Sequence, residues 1–285
     1  MESSFEKDNF GWRLRIYWAS FLQKISKKYN IKILSRFPLN KEEYIGSLES
    51  CDVLINLAGA SIFPGRWTSK RKKIILDSRV KYSSKLLKNL DKFNVQHYIQ
   101  ASATSFYPFS HSEIFTEDSV KQYGSNFSLQ LVQEWESQIN KSPIECNSLL
   151  RIGVVAGQGS KFLAPLKLLY NLFLGGRIGN GMQWVSWIHI YDLIQAIDFI
   201  IENKLQGPVN LTAPNAITNK QMSEMLASVL QRPNIFHMPK WFYQLAFGEA
   251  SELLTEGHQV FPKTLIDKGY QFKFDEFKSA LEDSN

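Results

Sequence analysis

Three predicted strand ends in this 285-residue chain stop in small residues: Ala58-Gly59, Ala101-Ser102 and Ala156-Gly157. Ligands of open α/β sheets lie outside the carboxyl ends of the strands, and small residues there let backbone approach a ligand closely. Three such ends point to a nucleotide crevice. A second cluster holds Gly175, Gly176, Gly179 and Gly181, followed by Gln183, Trp187, His189 and Asp192. Its glycines lack the strand–turn–helix spacing of a phosphate cradle, so it is not a P-loop. His189 has the chemistry of a general base. The favoured reading is structural: a His in a short strand, hydrogen-bonded to hold the loop beside Asp192. Arg66 and Trp67 precede a basic run, Lys70 to Lys73, which reads as a solvated helix face. Cys51 and Cys146 begin predicted strands and read as buried reduced thiols. No CxxC or His/Cys cluster suggests a metal.

The elements that must position these residues follow from apolar periodicity. Helices are predicted near residues 14–28, 68–90, 127–140, 161–173, 190–203, 218–230 and 241–253, with strands over 31–35, 52–57, 95–100, 147–155 and 208–212. Strand and helix alternate with short connections, which predicts an α/β fold with a mostly parallel sheet covered on both faces. From about His237 the chain changes to short helix-like pieces without a convincing strand. The boundary therefore falls between a domain over 1–236 and a small C-terminal helical domain over 237–285.

Hydrophobic residues make up 44% and charged residues 21%, with 20 Phe, 11 Tyr and 7 Trp, which excludes a disordered, collagen-like or coiled-coil chain. The net charge of +6 is scattered, with no dense Lys/Arg stripe, so no nucleic-acid partner is expected. No run of about 18 apolar residues exists to span a membrane. Glu2, Glu6 and Asp8 make the N-terminus a poor signal peptide. The basic, amphipathic stretch 12–28 reads as an ordinary domain helix. A cytoplasmic protein without a membrane partner is the expectation.

The segments NLAGASIF (56–63), GRW (65–67), DSRV (77–80), ASATSFY (101–107), EWE (134–136), LRIGVV (150–155), GGRIGNGMQWVSWIHIYDL (175–193) and NLTAP (210–214) share a pattern. Together they resemble the atypical, extended branch of the short-chain dehydrogenase/reductase superfamily. The match is to the epimerase family, whose members are often labelled nucleoside-diphosphate-sugar epimerases. FGEASELL (247–254), GHQVFPKTL (257–265) and GYQF (269–272) are similar to that family's small C-terminal domain of unknown function. The resemblance covers roughly residues 17–284.

It implies a Rossmann-like doubly wound parallel sheet that binds NADP(H) or NAD(H), with a second region closing over a small substrate. It sets Asn56, Leu57, Ala58 and Gly59, and the strand end at Gly153 and Val154, against the cofactor. Arg36 ends the second strand where no acidic residue stands, which favours NADP. Ser102 matches the family's strand-end Ser, with Thr104 and Ser105 nearby, and Tyr107 is a stand-in acid. Arg79, Gln183 and Trp187 are the candidate substrate contacts.

Two departures from the pattern follow. The family opens on a strand and a GxxGxxG turn that carries the pyrophosphate. Here that register holds Phe10, Gly11, Trp12, Arg13, Leu14, Arg15 and Ile16, and the polar MESSFEKDN offers no counterpart of the first strand. The superfamily's YxxxK dyad is also missing, because Phe127 and Ser128 stand where the Tyr belongs and no Lys follows. Two functions are therefore expected as alternatives. One is an NADP-dependent oxidoreductase or epimerase-like protein acting on an unknown small substrate, of which nucleotide sugars are the family's suggestion. The other is a catalytically inactive, N-terminally truncated Rossmann-like protein that binds a metabolite or a protein.

Overall fold

The structure, a computed structural model, describes residues 28–31, 51–63, 65–90, 94–120 and 124–284. The segment 10–16, Arg36, and nearly all of the predicted helix over 14–28 and strand over 31–35 lie outside the described residues.

Strands β1 (Val53–Asn56), β2 (His97–Ala103), β4 (Cys146–Ile152) and β8 (Gly207–Leu211) form a parallel sheet in the order β1-β2-β4-β8. Register matters for the site. It sets Asn56 opposite Gln100, and it sets Ser102, Arg151 and Asn210 in one row across three strands.

Both faces of the sheet are covered. Helix α1 (Ser69–Leu76) is started by Thr68, whose side chain accepts from the Arg71 N–H, and runs through a π-helical turn (Asp77–Lys81) into α2 (Tyr82–Leu87). On that side Tyr98 packs with Leu87, Leu90 and Val95, while Trp135 of α3 (Phe127–Ser137) meets Val80 and Ala101. Helix α5 (Ile190–Glu202) buries Leu193, Ile194, Ile197 and Ile200, spaced three and four apart, against Ile99, Leu150, Val209 and Leu211. Each such side chain contributes about 1.5–3 kcal/mol of burial. The fold is α/β and Rossmann-like, as the sequence predicts.

The strand predicted over 147–155 is broken at Gly153. After it the chain leaves the main sheet as β5 (Val154–Ala156), which pairs in parallel with β7 (Trp187–His189). A Cβ on Gly153 would stand 2.6 Å from the Ser186 carbonyl oxygen, so only glycine fits this crossing. Helices α4 (Leu163–Asn171) and α6 (Asn219–Leu230) flank this smaller layer, β6 (Trp184–Val185) pairs antiparallel with β9 (Ile217–Thr218), and a Thr218/Gln221 capping box starts α6.

The C-terminal stretch holds α7 (Lys240–Phe247), α8 (Glu252–Thr255), α9 (Lys263–Asp267) and α10 (Phe277–Asp283). It also holds a strand that the sequence does not reveal: β10 (Gln259–Val260) pairs in parallel with β3 (Ile114–Phe115). Two residues are too few for alternation to show. Phe274, Phe277, Ala280 and Leu281 share a core with Trp187, Met222 and Leu226, and Ala250 joins Trp67, Ile75 and Leu131. Cys51 and Cys146 are free thiols, half-buried where the sequence suggested full burial. Among the described residues no helix is long and apolar enough to cross a membrane, and no group of His, Cys, Asp and Glu could hold a metal.

Candidate functional site

The carboxyl end of β1 is built on a buried polar belt. Asn56 Nδ2 donates to Ser83 Oγ (3.1 Å) and Tyr98 Oη (3.0 Å), and Asn56 Oδ1 accepts from the Ala58 N–H (3.1 Å). Tyr98 donates on to Gln100 (3.1 Å), and Trp135 Nε1 donates to Ser83 (3.0 Å). Asn56 therefore shapes the turn with its side chain and leaves the backbone of Leu57–Ala60 as the lip of the crevice. Ser78 Oγ accepts from the Ala60 N–H at 2.9 Å and fixes the far side of that lip.

Arg79 completes it. From the π-helical turn its guanidinium lies against Gly59, where a Cβ would meet its Cζ at 3.0 Å. It donates to the Ala60 carbonyl at 2.9 Å and sits 5.3 Å from the Trp135 ring centroid. A single-turn π distortion commonly re-aims a side chain for function. The structure thus brings a residue expected at the substrate beside residues expected at the cofactor.

The ends of β2 and β4 differ. Ser102 donates to Glu136 Oε1 at 2.5 Å, and Arg151 grips the same carboxylate through Nε (2.9 Å) and Nη2 (2.8 Å). Both charged partners are buried. The third guanidinium nitrogen donates to Tyr107 Oη at 2.8 Å, and the phenol faces Asn210 Oδ1 and the Thr116 carbonyl, each at 2.9 Å. The Phe106 ring centroid lies 3.4 Å from Arg151 Cζ. This network follows from the Ser102–Arg151–Asn210 row of the sheet. Burial pushes the Tyr107 hydroxyl up to about 12 in spite of Arg151 beside it. Tyr107 therefore keeps its proton near neutral pH.

The Gly153 and Val154 N–H groups are spent on the sheet, donating to Leu211 O (3.1 Å) and Ser186 O (2.8 Å). Gln183 is buried and ties the glycine-rich loop to the C-terminal stretch, with Nε2 near Ile178 O (3.3 Å) and Leu254 O (3.2 Å). Its Oε1 is buried without a hydrogen-bond partner. Trp187 is fully buried, donates to Asn215 O at 2.9 Å and meets Phe277 edge-on, so it presents no stacking face. His189 caps α5, its Nδ1 accepting from the Tyr191 N–H at 3.2 Å. Asp283 stands 3.3 Å from Nε2 but outside hydrogen-bond geometry. Burial lowers His189 to about 4, so it is neutral at physiological pH. Asp192 accepts from the Lys273 and Phe274 N–H groups (2.9 and 2.8 Å) and anchors the C-terminal stretch.

One pair was not legible in the sequence. Ser128, where the superfamily pattern has its Tyr, donates to Glu252 of α8 at 2.7 Å. Burial raises that carboxyl above the usual carboxylate range. Lys72 pairs with Glu249 at 2.5 Å and lies 5.0 Å over the Phe127 ring. The basic run is thus partly recruited to hold the C-terminal stretch. Only spatial proximity joins Ser128 to Glu252, which lie 124 residues apart.

Residues 238–284 match the model of a domain of unknown function, DUF1731. The chain is 38% identical over 242 residues to the epimerase family protein YfhF of Bacillus subtilis, covering 82% of this chain and 78% of that one. It is 34% identical over 270 residues to the epimerase family protein SDR39U1 of Mus musculus, covering 90% and 91%. The crystal structure of human epimerase family protein SDR39U1 (isoform 2) with NADPH superposes with a TM-score of 0.84 at 28% identity, covering 93% of this chain and 94% of that one. At this identity and coverage, the chain belongs to the epimerase family.

Proposed function

We propose that the protein binds NADP(H) across the lip formed by Leu57–Ala60 and acts as an oxidoreductase or epimerase-like enzyme on a small substrate. The carrying observation is the Arg79 guanidinium laid against Gly59 and Ala60, a fixed cation at the carboxyl end of a parallel strand. Small residues there leave room for a dinucleotide backbone, and the cation suits its phosphates. The human relative that carries NADPH supports the same reading. Arg36, the candidate partner of the 2′-phosphate, lies outside the described residues.

When bound, the nicotinamide would supply hydride transfer. The chain's own residues bind and orient. Asn56 holds the lip and Arg79 offsets negative charge. Ser102 and Tyr107 keep the floor in shape, since each hydroxyl proton is already donated within the network. Gly153 and Val154 would contribute a close wall. Gln183 and Trp187 would set the substrate region from behind, through the glycine-rich loop.

That saturated floor favours a second reading, in which the family member binds nucleotide or metabolite without turnover. Nucleotide-induced thermal stabilisation tests the shared part. A ligand at 100 times its Kd adds about 2.7 kcal/mol of stability. NADPH is expected to raise the melting temperature, and Arg79→Ala to weaken NADPH affinity about tenfold or more. No shift with millimolar NADPH sinks the enzyme reading and leaves only the binding of another metabolite. A shift without turnover of any carbonyl or nucleotide-sugar substrate favours the second.

A further inference from the structure

Ten of the fifteen exposed large hydrophobic residues among the described residues fall in two stretches, 168–174 and 235–245. Backbone contacts join them. The Phe236 N–H donates to Gly175 O (3.0 Å), the Met238 N–H to Arg177 O (3.2 Å) and the Gly179 N–H to Met238 O (2.8 Å). The approach is so close that a Cβ on Gly176 would stand 1.5 Å from the Phe236 carbonyl oxygen. The C-terminal half of α4, the loop after it and α7 therefore form one continuous surface. Leu168, Leu172, Phe173, Ile235, Trp241 and Leu245 carry it. Helix α7 buries none of its residues, and Trp241 and Leu245 are 62% and 66% exposed.

The charges around this surface have one sign. Residues 161–181 hold Lys161, Lys167 and Arg177, and residues 231–248 hold Arg232, His237 and Lys240, with no Asp or Glu in either stretch. Asp and Glu supply 27 residues of the whole chain, so their absence here is local. Glu256 pairs with Lys240 at 2.7 Å, and Glu224 stands 4.0 Å from Lys220. Arg232 lies 5.3 Å over the Phe173 ring, a cation at the edge of the apolar face.

An apolar face of this extent on a monomer marks an interaction site. A second copy meeting it through the same face would bring two cationic rims together, with Arg232 on each side. A bilayer with anionic headgroups answers both properties at once. Acyl chains accept the Trp and Leu side chains while headgroup phosphates accept the cations. We propose that this face docks peripherally on a bilayer surface bearing anionic headgroups. The sequence suggested no membrane partner, because no segment has the length of a span. Docking needs only an apolar face with a cationic rim, and that face exists only once the two stretches are brought together.

The test uses the full chain with sedimenting vesicles of phosphatidylcholine alone, and of phosphatidylcholine with about one third phosphatidylglycerol. The protein is expected to sediment with the mixed vesicles and to stay in solution with the neutral ones. W241S/L245S is expected to weaken binding about tenfold or more, and Arg232→Gln about fivefold. Brominated acyl chains should quench the wild-type tryptophan fluorescence more than that of W241F. The substituted Trp241 and Leu245 are exposed, so an unchanged melting temperature separates lost docking from lost fold. Three results overturn the proposal. They are absence of binding to mixed vesicles, binding indifferent to W241S/L245S, and a concentration-dependent dimer that W241S/L245S dissolves, which would assign the face to a second copy.

Discussion

The carboxyl ends of β1 and β4 point the same way in the parallel sheet, yet they are built for different work. At β1 the buried belt of Asn56, Ser83, Tyr98 and Trp135 lies behind the lip, and one cation, Arg79, is brought forward against Gly59 and Ala60. At β4 the cation is turned inward, and Arg151 spends three nitrogens on Glu136 and Tyr107. A guanidinium beside a strand end is thus no sign of a ligand site by itself. What matters is where the fold places it, at the lip or inside the floor. Glu136 holds Arg151 inside the fold, whereas Arg79 donates to the Ala60 carbonyl and lies beside the Trp135 ring at the lip itself.

The sharpest way to break this comparison is Arg151→Met. It leaves the Glu136 charge buried without its partner and is expected to destabilise the fold by about 3–5 kcal/mol, read from urea unfolding. Arg79→Ala should cost far less stability while costing NADPH affinity. If the two substitutions destabilise equally, the distinction between an inward and a forward cation fails.

Acid sensitivity is the next effect in size. Burial lowers His258 from its ordinary 6.5 to about 4, and its ring stacks on Phe109 and meets Tyr107 edge-on. The unfolded chain takes up the proton near pH 6.5 and the folded chain resists it until about 4. The stability this contributes is complete above about pH 6.5 and is lost as pH falls through 4. For each such histidine the loss approaches about 3 kcal/mol, and His189 adds to it with the same sign. Urea midpoints measured from pH 7 to 4 should therefore fall less steeply for His258→Gln than for wild type. Equal slopes would mean that His258 is not buried in its neutral form.

The smallest effect belongs to Tyr107→Phe. It removes a hydroxyl from between Arg151 and Asn210 and is expected to cost about 1–2 kcal/mol. A turnover loss of about a hundredfold with an unchanged melting temperature would restore Tyr107 as an acid and overturn its assignment to the floor.

How much of this is legible in the sequence differs by element. The periodic run that became α5 appears with its apolar face intact, because four spaced residues are enough to show which side is buried. Ser102 and Tyr107 stood out as hydroxyls at a strand end. Their partner Glu136 did not, because a Glu in a helix looks the same whether it meets water or a buried Arg. Trp187 looked like a stacking platform and became core, since nothing near it in the sequence announces Phe277, which packs on it from the last helix.

The sequence alone determined the alternation of strands and helices, the small residues at strand ends and the family. These depend on local backbone preference and on patterns within one element. The tertiary structure alone decided which hydroxyl met which carboxylate, where Arg79 and Arg151 pointed, how Ser128 found Glu252 and how two apolar stretches merged into one face. Those outcomes depend on strand register and on packing between segments far apart in the chain, and no local pattern encodes them.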